Sequence, residues 1–204
     1  MIRGKFITLE GVDGAGKSTH IRFIKDYFES RSISYILTRE PGGTDVGENI
    51  REILLRDEMG PITESLLMFA ARNEHIASLI RPNLEKGIAV ISDRFTDASL
   101  AYQHGGKGVP KELINHLKGM VQAELEPDLT ILFDLPVEVS LERLNNTRVL
   151  DRFEMQGYDF HQRVRDTYLQ LAMENKSRFY IIDSTKNITD IQNEIITIMD
   201  KALS

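Results

Sequence analysis

The sequence predicts an α/β fold, a five-stranded parallel sheet with helices on both faces. Three observations carry this. Five short apolar runs rich in β-branched residues alternate with longer stretches of helical period. Two of the runs, residues 88–92 and 129–133, are apolar on both alternating faces, as strands inside a parallel sheet are. Parallel neighbours need right-handed crossovers, which lay the intervening helices over both faces.

The elements follow in order. Residues 6–9 form the first strand and lead into a Gly-rich segment, then a helix with Ile21, Ile24 and Phe28 on one face. Residues 35–38 form the second strand, and Ile50, Ile53 and Leu54 mark the next helix. A long helix runs from about residue 62 to 85 behind the cap-like Pro61-Ile62-Thr63-Glu64. Strands at 88–92, 129–133 and 179–182 alternate with helices at 110–125, 137–145, 157–175 and 188–203. There is no internal repeat, low-complexity tract or linker, so residues 1–204 are expected to be one domain.

Composition bounds the function classes. The 204 residues suffice for one core, and 41% hydrophobic with 27% charged is ordinary for a soluble protein. No apolar run approaches the roughly 18 residues a membrane helix needs. The chain enters strand-like sequence at once, without an apolar signal region, and contains no cysteine. A cytoplasmic location is expected. A net charge of −6 argues against nonspecific nucleic-acid binding. An anionic ligand must therefore be held by locally placed Arg and Lys.

Gly11-Val12-Asp13-Gly14-Ala15-Gly16-Lys17-Ser18 matches G-x-x-x-x-G-K-[ST], with strand before and helix after. The glycines let backbone N–H groups turn inward as an anion nest at a helix start. Lys17 is expected on the β- and γ-phosphates of ATP, the Ser18 hydroxyl on Mg²⁺, and Thr19 beside them. Such sites add an acidic residue closing a buried strand near the metal. Asp93 and Asp134 both qualify. Arg94 favours Asp93, because phosphoryl transfer needs cations beside its metal.

Arg39-Glu40-Pro41-Gly42-Gly43 follows the second strand, so Arg39 would reach the crevice at the carboxyl ends of the strands. With Met68-Phe69-Ala70-Ala71-Arg72, Asp93-Arg94-Phe95, Ala101-Tyr102-Gln103, Pro127-Asp128-Leu129-Thr130 and Leu150-Asp151-Arg152-Phe153-Glu154, nearly the whole chain resembles the thymidylate kinase family. The resemblance implies a P-loop kinase fold and transfer from Mg-ATP to dTMP, giving dTDP for the dTTP pathway. It implies that Asp13 meets the acceptor's 3′-hydroxyl and that Arg39 and Arg94 clamp its phosphate. Arg72 and Gln103 would read the base edge with Ser99 close by, and Tyr102 would lie against the sugar. It further implies a homodimer, for which the apolar helix from Leu66 to Ile80 is the candidate face, and an adenine-side loop at 183–186.

Two assignments stay open. In several relatives a stacking Phe lies four residues before the Arg. Here Phe69 lies three before Arg72 and Met68 lies four before. Phe69 is the expected stacking residue, with Met68 as the alternative. Some relatives carry an Arg in the phosphate loop where this chain has Gly14. The resemblance implies that the extra cation then comes from a lid at about residues 143–153. Arg148 is the first candidate, Arg143 and Arg152 the others, and Arg152 is also expected near ATP.

Phosphoryl transfer asks for positioning and cations, so direct in-line transfer without a covalent intermediate is expected. His20, His75, His104, His116 and His161 lack metal-ligand spacing and should serve packing or surface roles. The Gly-rich 103–108 run reads as a flexible turn. An Asn/Thr-Lys-x-Asp guanine motif is missing, which argues against a GTPase switch.

Overall fold

The computed structural model describes residues 3–145 and 151–203. Its five strands are β1 (Phe6–Glu10), β2 (Tyr35–Arg39), β3 (Ala89–Asp93), β4 (Leu129–Asp134) and β5 (Phe179–Asp183). They form one all-parallel sheet in the order β2-β3-β1-β4-β5. β1 is buried throughout, whereas the edge strands β2 and β5 are partly exposed. Phe6 and Val90 pack in one apolar cluster while Ile7, Leu9 and Ile91 pack in the other. Successive side chains of a strand point to opposite faces, so both faces of the sheet are covered.

The helices are α1 (Lys17–Ser30), α2 (Asp45–Arg56), α3 (Pro61–His75), α4 (Arg81–Glu85), α5 (Thr96–Ser99), α6 (Lys111–Gln122), α7 (Val137–Asn145), α8 (Tyr158–Glu174) and α9 (Ile188–Leu203). Thr44 caps α2 by accepting from the Gly47 N–H at 3.0 Å. The expected helix at 62–85 is continuous but contains a π-helical turn at Ile76–Ile80. Pro82 explains that widening, because it cannot donate to the carbonyl four residues back and its ring crowds that position.

The 103–108 expectation is corrected. Leu100–Gly106 continues α5 as a π-helical segment instead of forming a loose turn. A Cβ on Gly105 would stand 2.0 Å from the Thr167 hydroxyl, and one on Gly106 2.4 Å from the Phe160 ring. These glycines let α8 approach the segment closely. They are there for contact, not mobility.

The sheet order places β1 centrally, with the chain leaving to β2 on one side and reaching β4 and β5 on the other. A crevice opens where strand order reverses, outside the carboxyl ends. Glu10, Arg39, Asp93 and Asp134 all end their strands at that rim.

Candidate active site

The phosphate loop joins β1 to α1 and folds over the rim. Gly14 and Gly16 sit at φ +77° and +86°, which side chains with a Cβ rarely adopt. Lys17 is buried, and its Nζ donates to the carbonyls of Gly11 and Val12 at 2.9 and 3.2 Å. Burial pulls the Lys17 ammonium below its usual value, helped by Arg94 and opposed by Asp93 and Asp13. Ser18 and Thr19 are exposed on the same cleft. The cleft has a volume of about 910 Å³ and is also lined by Asp93, Arg143, Ser184 and Lys186.

Asp93 and Asp134 separate clearly. Asp134 is taken by Arg165 in a two-pronged ion pair at 2.8 and 2.9 Å. Asp93 has a buried Oδ1 without a hydrogen-bond partner among the described residues, and it lines the phosphate cleft. An orphaned carboxylate oxygen and an exposed Ser18 hydroxyl on one cleft fit a hard cation that takes its remaining oxygens from phosphate and water.

A second, narrower cavity of about 90 Å³ lies beside the cleft, and Asp13, Arg51 and Arg94 line both. Asp13 is held at the junction by Arg94 Nη2 at 2.5 Å and the Tyr102 hydroxyl at 2.7 Å. Burial alone would raise the Asp13 carboxyl, yet Arg94, Lys17 and Tyr102 together bring it below its usual value. The Arg94 backbone is left-handed at φ +71°, fixed by its N–H on Leu9 and by Ser92 Oγ donating to its carbonyl at 2.7 Å. Below it, Glu10 accepts from the Phe95 N–H and the Tyr168 hydroxyl, each at 2.8 Å.

Arg39 reaches the phosphate cleft but not the narrow cavity, and it pairs with Glu48 at 2.7 Å. Arg51 lines the phosphate cleft together with Arg39 and Arg94, and it donates to the Pro41 carbonyl at 3.0 Å. Burial, then the positive fields of Arg39 and Arg94, pull the Arg51 guanidinium below its usual value. Three crowded guanidiniums repel one another, and a phosphate dianion relieves that repulsion. Arg51 lies outside the expected set, although the chain carries a signal for it. It stands three and four residues before Leu54 and Leu55, on the side of α2 that packs inward.

The narrow cavity is polar at one end. Arg72 is 2% exposed; its Nε donates to Glu40 at 2.7 Å and its Nη2 to Ser99 Oγ at 3.0 Å. Its Nη1 is buried without a partner among the described residues. Glu40 also holds His75, which in turn meets Thr38. Gln103 and Ser99 line the same wall.

Two expectations are corrected here. Phe69 is 1% exposed and packs in the core under the Arg72 guanidinium, 4.5 Å from its ring centre, while Met68 lines the cavity. One residue turns a helix by about 100°, so only one of the two can face the cavity. Arg152 does not line the phosphate cleft. It is paired with Glu64 at 2.6 Å and donates to the Leu54 carbonyl. Arg143 does line it, with Nη1 3.8 Å from where a Gly16 Cβ would stand. Arg148 lies outside the described residues.

A family model described as thymidylate kinase matches residues 9–195. The chain belongs to the thymidylate kinase family. It is 54% identical over 196 residues to a thymidylate kinase of Cupriavidus necator, covering 95% of this chain and 97% of that one. It is 51% identical to one of Neisseria meningitidis serogroup B, covering 98% of each. The fold agrees with the crystal structure of thymidylate kinase from Ehrlichia chaffeensis at a TM-score of 0.79 and 31% identity, over 97% and 99% of the two chains.

Proposed function

We propose that this protein transfers the γ-phosphoryl group of Mg-ATP to dTMP, yielding ADP and dTDP for dTTP synthesis. The observation that carries the reading is the junction at Asp13 and Arg94, where a triphosphate cleft opens into a cavity walled by a buried free guanidinium donor. An oxygen of the dTMP phosphate attacks the γ-phosphorus in line, the bond to the β–γ bridging oxygen breaks, and ADP leaves with that oxygen. Near neutral pH the acceptor is largely a dianion, so no strong base is needed. Asp13, kept ionised, would accept from the sugar 3′-hydroxyl and orient the acceptor.

Lys17 and the loop N–H groups would hold the β- and γ-phosphates. Arg39, Arg51 and Arg94 would surround the acceptor phosphate. A Mg²⁺ held by Ser18 and Asp93 would neutralise charge on the β- and γ-phosphates. Arg143 would supply the further cation near the transferring group among the described residues, with Arg148 the lid candidate outside them. Arg72 Nη1 would donate to O4 of thymine and Gln103 would meet N3–H, while Met68 covers the ring.

The chain would act in the cytoplasm as a single catalytic domain, and two copies would pair. Ile76 and Ile80 are buried, so they cannot form the shared face. Val46 and Ile53 on α2, with Ile62 and Leu66 on α3, are the exposed apolar residues a second copy would cover. Among the described residues no helix is long and apolar enough to cross a membrane.

The decisive assay is coupled ADP release over dTMP, dUMP, dCMP and dGMP. Turnover with dTMP is expected to dominate. Activity on dCMP or dGMP with none on dTMP overturns the substrate assignment.

A further inference from the structure

We propose that Glu64 is a positioning residue that sets pyrimidine selectivity by fixing which end of the Gln103 amide faces the base. Its side chain is fully buried on α3 and does not line the cavity. Its Oε2 is held by Lys107 and Arg152, each at 2.6 Å, and its Oε1 stands 3.0 Å from Gln103 Nε2. Lys107 and Arg152 are donors only, so Glu64 meets both as an acceptor, and a carboxylate has no proton to donate. The Gln103 amide must therefore give Glu64 its NH₂ end. That leaves its carbonyl oxygen as the end available on a cavity-lining residue.

The consequence is a pattern. Arg72 Nη1 offers a donor and Gln103 Oε1 an acceptor, both on residues that line the cavity. A 4-keto pyrimidine presents the complement, an O4 acceptor beside an N3–H donor. Cytosine presents the reverse, an amino donor beside an unprotonated N3. With the amide locked, cytosine meets donor against donor and acceptor against acceptor. An unlocked amide would rotate to suit either ring. Selectivity thus originates one residue behind the wall, where the Gln103 orientation is decided.

This rests on the cavity being the base site of the acceptor, and the test separates the two claims. The readout is kcat/KM for dTMP and dCMP, with thermal unfolding as a control. Wild type that ignores dTMP refutes the substrate reading and not the orientation argument. In Glu64→Gln, the new amide oxygen still accepts from Lys107 beside Arg152, and its NH₂ forces Gln103 to turn its own NH₂ to the cavity. The dTMP:dCMP ratio is expected to fall by about tenfold to a hundredfold.

The exchange variant Glu64→Gln with Gln103→Glu keeps the charge of the cluster. The introduced amide then donates to the introduced carboxylate, whose other oxygen again accepts from N3–H. Selectivity for dTMP should return toward wild type. A role limited to neutralising Lys107 and Arg152 predicts equal losses on both substrates in Glu64→Gln, with the dTMP:dCMP ratio of that variant unchanged. If Glu64→Gln does not fold, the exchange variant decides. Unchanged selectivity in Glu64→Gln, or an exchange variant that restores neither fold nor selectivity, overturns the proposal.

Discussion

Replacing Glu10 by Gln should remove a pH dependence of stability while leaving the fold intact. Burial, then the nearby Asp97, pushes the Glu10 carboxyl from its ordinary 4.5 up to about 8, against the opposing effects of Tyr168 and Arg94. The folded state therefore keeps a proton that the unfolded chain releases. Below pH 4.5 both states hold it and Glu10 adds no pH dependence. Between 4.5 and about 8 stability falls as pH rises, and above that the penalty is fully developed. The linkage amounts to on the order of 3–4 kcal/mol between pH 5 and 8.

Gln fits the same contacts. Its oxygen accepts from the Phe95 N–H, and its NH₂ donates to a Tyr168 hydroxyl turned to accept. Asp13 titrates in both proteins, so the difference between them isolates Glu10. Urea unfolding at pH 5, 6.5 and 8 should show Glu10→Gln gaining on wild type by on the order of 3 kcal/mol across the series. A difference that stays flat with pH refutes the argument that burial holds the proton on Glu10.

Three further outcomes follow from the site. Phe69→Ala should cost about 3–5 kcal/mol and lower Tm by roughly 6–20 °C by calorimetry, whereas Met68→Ala should leave Tm nearly unchanged and raise KM for dTMP. The reverse pattern would return the base contact to Phe69. Arg143→Ala should lower kcat about a hundredfold, while Arg152→Ala should lose about 3 kcal/mol of stability from the Glu64 pair with KM for ATP little changed. Steady-state kinetics beside melting curves separates them. Asp93→Asn should raise the Mg²⁺ needed for half-maximal rate at fixed ATP about tenfold; a metal titration that overlays wild type removes Asp93 from the metal site.

Periodicity and contiguous motifs made the five strands, the phosphate loop and the order of the helices legible in the chain. These depend on neighbours in sequence, on alternation in a strand and on a glycine-rich turn that must sit between β1 and α1. The Gly105-Gly106 pair misleads for the same reason. Its composition says turn, and only the closeness of Thr167 and Phe160 shows that it admits a helix.

The site itself was partly legible. Asp13, Lys17, Arg72, Arg94, Tyr102 and Gln103 stand in motifs, and the structure gathers them around two joined cavities. Glu10 and Arg51 stand in no motif, and Glu40 and Glu64 stand in segments that the chain marks only as a Pro-Gly turn and a helix cap. Each is a charge carried on an inward face, a position that costs desolvation unless a partner from another element meets it. The chain alone shows the charge, on the apolar side of a helix or strand for Glu10, Arg51 and Glu64 and in a turn for Glu40. It cannot show that Glu10 finds Tyr168, that Glu40 finds Arg72 and His75, or that Glu64 finds Lys107 and Arg152.

What the sequence by itself determined is the α/β architecture and a triphosphate loop with an Asp at its second variable position, because both are written in local spacing. What only the tertiary structure decided is which of two strand-end aspartates is left unpaired, whether Met68 or Phe69 faces the cavity, and which way the Gln103 amide points. Those choices depend on the direction of a side chain among partners distant in the chain. A single residue of helix rotation or one ion pair reverses them.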